Sequence, residues 1–305
     1  MTVAGISATR RDPRRLADRL ARPVFLFCAV LTAAILVAVV GVLAVETARF
    51  FGAVSPVRFF TEVDWTPFAE EPRFGVLPLL AATAQITAGA AFLAVPAGLM
   101  TAVYMEYYAG VRTERALAGV TTMLAAVPTV VFGYFALTFV TPLLRSLWPG
   151  IEAFNGLSAC LAVGLMILPT VVVLTRSALG AVPAALMETG LALGAARGRV
   201  VARVLVPAAA PGIVAAVFLA MARAAGETMI ATLAAGNQAH LTWSPLEGLR
   251  TLTAFIAQSS LGDAPSGSVQ YGAFFAVSAV LFAVTWGLHA TGGLLMSRRN
   301  EGGVG

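Results

Sequence analysis

The sequence predicts an all-α integral membrane protein of six transmembrane helices, on three observations: its apolar content, the number of long apolar windows, and the placement of its arginines. Of 305 residues, 59% belong to the hydrophobic set and only 11% are charged, against about a quarter charged in soluble domains. Roughly 180 apolar residues exceed what one aqueous core holds but fill several spans of about 20 residues each. Six windows are long enough to cross a bilayer: 24–47, 77–104, 116–140, 157–179, 208–235 and 271–296.

The first window follows Arg10, Arg11, Arg14, Arg15, Arg19 and Arg22 and so reads at first as a signal peptide. It is too long for a cleaved apolar region and has no small-residue cleavage site, so it is expected to stay as an anchor. All 20 basic residues are Arg. Thirteen fall in the tail, the 105–115 and 180–207 loops and the C-terminus; five (Arg49, Arg58, Arg73, Arg145 and Arg250) fall on the other side. The positive-inside rule then places both termini in the cytoplasm, which requires an even number of crossings. The expected organisation is a basic tail over 1–22, a first transmembrane helix over 23–48, an outer interfacial segment over 49–75, a helical unit over 76–296 and a short tail over 297–305.

Residues 49–75 mix Phe50, Phe51, Phe59, Phe60, Trp65, Phe68 and Phe74 with Glu62, Asp64, Glu70 and Glu71, a composition expected to lie along the membrane interface. The segment 236–270 carries turn residues around a weakly amphipathic stretch at 246–258, placed to pack over the mouth of a pathway. Pro96, Pro128 and Pro169 fall inside apolar windows, where each removes a helical hydrogen bond and permits a kink or break.

Between the fourth and fifth windows, residues 183–207 are too long for a tight connection and too rich in Ala and Leu for a flexible linker. They predict a short helix, a turn near Gly194 and a second helix ending near Pro207. Such a hairpin at the membrane surface is a docking knob. The run resembles the cytoplasmic loop of ABC importer membrane subunits, in which a Glu, a Gly six residues later and an aliphatic-x-aliphatic-Pro ending recur. Glu188, Gly194, Val204, Val206 and Pro207 stand at those spacings, with Thr189 and Gly190 where the family carries Ala-Ala. The resemblance implies a coupling helix that fits a cleft on an ATPase subunit, with Glu188, Gly194, Arg197, Val204 and Pro207 as the coupling residues.

In the fifth window Arg223 and Glu227 are four apart, so on a continuous helix they share one face. Each charge costs at least about 2.5–3.5 kcal/mol at a membrane centre, so both are expected to face the bundle interior or a polar pathway. They either neutralise each other, or Arg223 offers its guanidinium fork to an oxyanion while Glu227 tunes that attraction. The run Arg223-Ala-Ala-Gly-Glu227-Thr228-Met229, followed by Gly236-Asn237, resembles the permease subunits of the bacterial high-affinity phosphate ABC importer. Trp65-x-Pro67 with Phe74-Gly75-x-Leu77-Pro78, Tyr104-Met-Glu106-Tyr107 and Pro128-Thr-Val-Val-Phe-Gly133 agree in order and spacing, more with the C-type subunit than with its A-type paralogue. Ala82 and Thr129 stand where that family carries Gly and Ser.

The resemblance implies the type I, MetI-like permease fold in a bacterial inner membrane, with Arg223, Glu227 and Thr228 along the substrate pathway. It also implies a homologous second permease, ATPase subunits, a soluble phosphate-binding protein outside, and inorganic phosphate as cargo. An ABC permease for sulfate, molybdate or a phosphonate, and a self-sufficient secondary transporter, are the alternatives. No cofactor or nucleic-acid partner is expected. Without Lys the chain has no phosphate-loop lysine, so nucleotide-driven work needs another chain. Cys28 and Cys160, far apart in apolar runs, read as packing residues, and His240 and His289 form no catalytic or metal motif, so enzymatic activity is not expected.

Overall fold

The computed structural model describes residues 13–262, 265 and 267–301, with side chains for 21–262, 265 and 267–296. Arg10 and Arg11 of the basic tail lie outside the described residues. Six helices are long and apolar enough to cross a membrane. In chain order the helices are α1 (Pro13–Ala53), α2 (Pro56–Thr61), α3 (Leu77–Tyr107) and α4 (Val111–Ala126). Then come α5 (Thr129–Leu147), α6 (Gly156–Gly180), α7 (Ala184–Ala192) and α8 (Arg197–Ala225). Last are α9 (Leu252–Ser260) and α10 (Val269–Glu301). A two-residue ribbon pairs β1 (Trp65–Thr66) antiparallel with β2 (Arg73–Phe74).

The centre of the bundle is the close pair α3 and α6. Gly89 abuts Cys160, Gly98 abuts Val171 and Gly180 abuts Glu106, so the two helices run parallel and their small residues let the backbones approach. Two parallel crossings require one return crossing between them, and α4 with α5 supplies it. α8 runs antiparallel to α6, with Gly212 beside Ala178 and Arg223 beside Thr170. α1 runs antiparallel to α10, with Thr47 donating to the Phe275 carbonyl and Phe50 against Gly272. The start of α1, the hairpin 183–207 and the end of α10 therefore share one end of the bundle. The opposite end carries residues 54–76, the 236–250 loop and α9.

Two predicted windows shift. The window 116–140 is split at Val127-Pro128, and the third candidate span is 129–147. Pro128 is the N-cap of α5, where a missing N–H costs nothing, whereas Pro96 and Pro169 are carried within continuous helices. The window 208–235 ends early: α8 stops at Ala225 and begins already at Arg197. The second helix of the hairpin therefore does not end at Pro207 but runs through it. A π turn over Val201–Leu205, closed by the Val206 N–H on the Val201 carbonyl, absorbs the proline where an ordinary i→i−4 bond would fail.

The aromatic segment folds inward at several of its rings. Phe50, Phe59, Trp65 and Phe74 are buried and pack edge to face, Trp65 reaching the Phe255 ring at a centroid distance of 4.9 Å. Together with Leu79, Leu252, Ala273 and Val277 they form a second core at this end. Phe60 and Phe68 remain exposed. Cys160 is a core residue, while Cys28 faces outward on α1.

The α3–α6 contact is directly testable. A Cβ at Gly98 would lie 2.6 Å from Val171 Cγ1, so Gly98→Leu should destabilise the purified protein by about 1–3 kcal/mol. Gly110→Ala, which meets nothing within 4 Å, should leave the melting temperature unchanged in circular dichroism in detergent.

Candidate functional site

The fifth span is broken where its charges sit. Gly226 caps α8, and a short π turn, Ala231–Ala235, resumes beyond it. Arg223 and Glu227 consequently do not share a helical face, and among the described residues they form no ion pair. The Glu227 carboxylate turns onward: Oε1 accepts from the N–H groups of Met229 at 3.0 Å and Ile230 at 3.3 Å, capping the resumed turn. Its carbonyl accepts from Thr253 Oγ1 at 2.8 Å, which ties the break to the start of α9. The expected cover over a pathway mouth is thus in contact with the break. Thr228 is half-buried, its hydroxyl donating to the Gly226 carbonyl at 3.4 Å. Arg223 is exposed, and its Nη1 donates to Thr170 Oγ1 at 2.8 Å. A guanidinium with no carboxylate partner keeps its full charge for a ligand.

The hairpin has the predicted turn. α7 ends in Leu193 and Gly194, the latter at φ +79°, with Gly194 N–H on the Leu191 carbonyl and Ala195 N–H on the Gly190 carbonyl. Those two bonds make a Schellman closure, which needs a left-handed residue and so a glycine. Gly190 lets α7 sit on Val200, where a Cβ would be 2.8 Å from its methyls. Glu188, Arg197, Val204 and Pro207 are all exposed, beside outward-facing Leu186, Leu191 and Leu193. Arg197 lies over the Tyr108 ring at 5.8 Å, joining the hairpin to the end of α3.

Two further polar groups escaped the sequence reading. Arg176, at the hairpin end of α6, donates from Nε to Glu106 of α3 at 3.0 Å and from Nη2 to Glu114 of α4. α4 has no buried residue, so this bridge is its main polar hold. The signal was the Glu106-Tyr107 run beside Glu114, but nothing local joins them to a residue 62 positions on. At the opposite end, Glu152 Oε2 accepts from Gly248 N–H at 2.9 Å and from Gln238 Nε2 at 3.2 Å, while His240 Nε2 and Glu247 Oε2 lie 3.0 Å apart. Arg250 stacks on Phe255 at 5.1 Å and donates to Gln258, and burial pushes its pKa down. A cleft of about 710 Å³ between α6, α8 and α10, lined by Leu174, Ala178, Pro211 and Leu219 among others, has no charged side chain in its lining.

Removing Arg176 leaves two carboxylates facing each other. Arg176→Met should cost on the order of 1–2 kcal/mol at this partly screened site, and a cysteine placed at Thr121 of α4 should react faster with a maleimide. The outer loop should respond to pH. Hydrogen bonds from His240, then Thr242 and Ser244, hold the Glu247 carboxyl below its ordinary value. Its contribution is therefore complete above the unfolded carboxylate range of about 4.3 and is lost as pH falls through the lowered folded value. In a chain whose other three tryptophans, Trp65, Trp148 and Trp286, are replaced by Phe, the exposed Trp243 should report that loosening by fluorescence, and Glu247→Gln should abolish the transition.

Residues 94–290 match the family model described as binding-protein-dependent transport system inner membrane component. The chain is 31% identical over 288 residues to the probable ABC transporter permease protein YqgH of Bacillus subtilis, covering 94% of this chain and 93% of that protein. It is 27% identical over 250 residues to the phosphate transport system permease protein PstC of Mesorhizobium japonicum, covering 75% and 74% of the two chains. Among solved structures, a bacterial ABC transporter involved in import of the acidic polysaccharide alginate superposes with a TM-score of 0.61 at 14% identity, over 93% of this chain and 99% of that one. The inward-facing MetNI methionine ABC transporter superposes at 0.54 and 17% identity, over 72% and 95%. The six-helix arrangement is thus that of the type I importers, and the chain belongs to the binding-protein-dependent transport system inner membrane component family as an ABC importer permease subunit.

Proposed function

We propose that this chain, paired with a homologous second permease, forms the path of inorganic phosphate through a bacterial inner membrane. The observation that carries the reading is Arg223: an exposed guanidinium at the end of a broken span, without a carboxylate partner among the described residues. Its likeness to a phosphate transport permease supports the same cargo. A soluble phosphate-binding protein delivers the anion at the end formed by residues 54–76 and the 236–250 loop. The uncompensated Arg223 draws it in, and a single fixed cation holds it weakly enough to let it go. Glu227 acts by holding the break open in register, since its carboxylate is spent on the Met229 and Ile230 amides.

The hairpin at the other end docks to an ATPase subunit through Glu188, Arg197, Val204, Pro207 and the exposed leucines, and the Gly194 closure makes it stiff enough to transmit a push. The arginine distribution supports a cytoplasmic position for this end and for both chain termini. Thr228, beside the break, completes the pathway set.

In vesicles carrying the whole importer, Arg223→Ala should reduce phosphate uptake about ten- to a hundredfold, the worth of a hydrogen bond to a charged group. Glu227→Ala should reduce it by distorting the break, and Glu188→Arg should uncouple ATP hydrolysis from uptake. Normal uptake by an Arg223→Ala chain that inserts fully overturns the reading. Uptake blocked by sulfate or molybdate and not by excess phosphate assigns another oxyanion.

A further inference from the structure

α6 holds two arginine contacts of opposite character, six positions apart. Arg176 is neutralised by two carboxylates. Thr170, nearer the centre, meets Arg223 with a neutral hydroxyl, Nη1 to Oγ1 at 2.8 Å. A hydroxyl can orient a guanidinium without cancelling its charge.

That hydroxyl differs from those of most helical threonines in this chain. Thr83, Thr101, Thr122, Thr232 and Thr285 give their protons to the carbonyl four residues back, the ordinary way for a threonine in an apolar helix to satisfy its O–H. The hydrogen bond from Arg223 is the one Thr170's side chain makes among the described residues, and in it the oxygen accepts. A hydroxyl carries one donor beside two acceptor sites, so its proton stays uncommitted. Thr170 is half-buried and Arg223 exposed, which puts the free donor beside the open face of the guanidinium.

We infer that Thr170 is a positioning residue of the anion pathway, which pins Arg223 with its oxygen and offers its own proton to the same oxyanion; this rests on the pathway reading of Arg223 given above. The pair makes a two-point donor set with a net charge of one. The guanidinium supplies attraction and the hydroxyl supplies direction. A carboxylate at position 170 would orient Arg223 equally well but remove the charge that draws the anion.

The test uses the whole importer in vesicles, with inorganic phosphate, and Thr170→Val, Thr170→Ser and Thr170→Asp. Thr170→Val, equal in volume, should raise KM for phosphate about tenfold with little change in maximal rate. Thr170→Ser should stay within about twofold of the parent, because both hydroxyl functions return. Thr170→Asp should abolish uptake. A second measurement does not depend on cargo: the rate at which phenylglyoxal modifies Arg223 in the purified chain, read by mass spectrometry with exposed Arg197 as internal standard. It should rise severalfold in Thr170→Val and stay at the parent rate in Thr170→Ser. An unchanged rate in Thr170→Val overturns the inference, and so does an unchanged KM in an importer that moves phosphate. If the parent importer takes up no phosphate, the cargo reading falls instead, and the modification rate alone decides whether Thr170 holds Arg223.

Discussion

A peptide N–H that leaves a helix inside hydrocarbon must find another acceptor, and the fifth span depends on how that demand is met. Gly226 ends α8, and the amides of Met229 and Ile230 would be left without partners in an apolar setting. The Glu227 carboxylate takes both. The Thr253 hydroxyl takes the Glu227 carbonyl, so α9 is fastened to the same point. Both bonds go to Oε1 and turn the carboxylate towards the resumed turn, and among the described residues it forms no ion pair with Arg223.

The same economy governs the hairpin end. α4 buries no residue and is steered by the forked contact of Arg176 with Glu106 and Glu114. The hairpin next to it is stiffened by the Gly194 closure and by Gly190 against Val200. Tyr108 under Arg197 connects the two regions. α8 is continuous from Arg197 through the π turn to the break at Gly226. The exposed hairpin and the Arg223 end are therefore joined by one helix.

Much of this was legible in the residues. Four of the six windows coincide with spans to within a few positions, because hydropathy over 20 residues measures burial in lipid well. The other two failed for a common reason: averaging over a window cannot see one proline or one glycine that interrupts it. Pro128 breaks its helix while Pro96 and Pro169 do not. Arg223 and Glu227 stood out as charges in an apolar window, but their relation was misread as a shared helical face. Thr170 and the Arg176 bridge were invisible, since each joins residues more than 50 positions apart through helix packing.

α1 stands apart from these constraints. Residues 22–42 are exposed throughout, and it is the Phe50 end that joins a core. Within this chain an exchange of one apolar residue for another over that stretch alters no packing, whereas the same exchange on α6 meets the helices it touches.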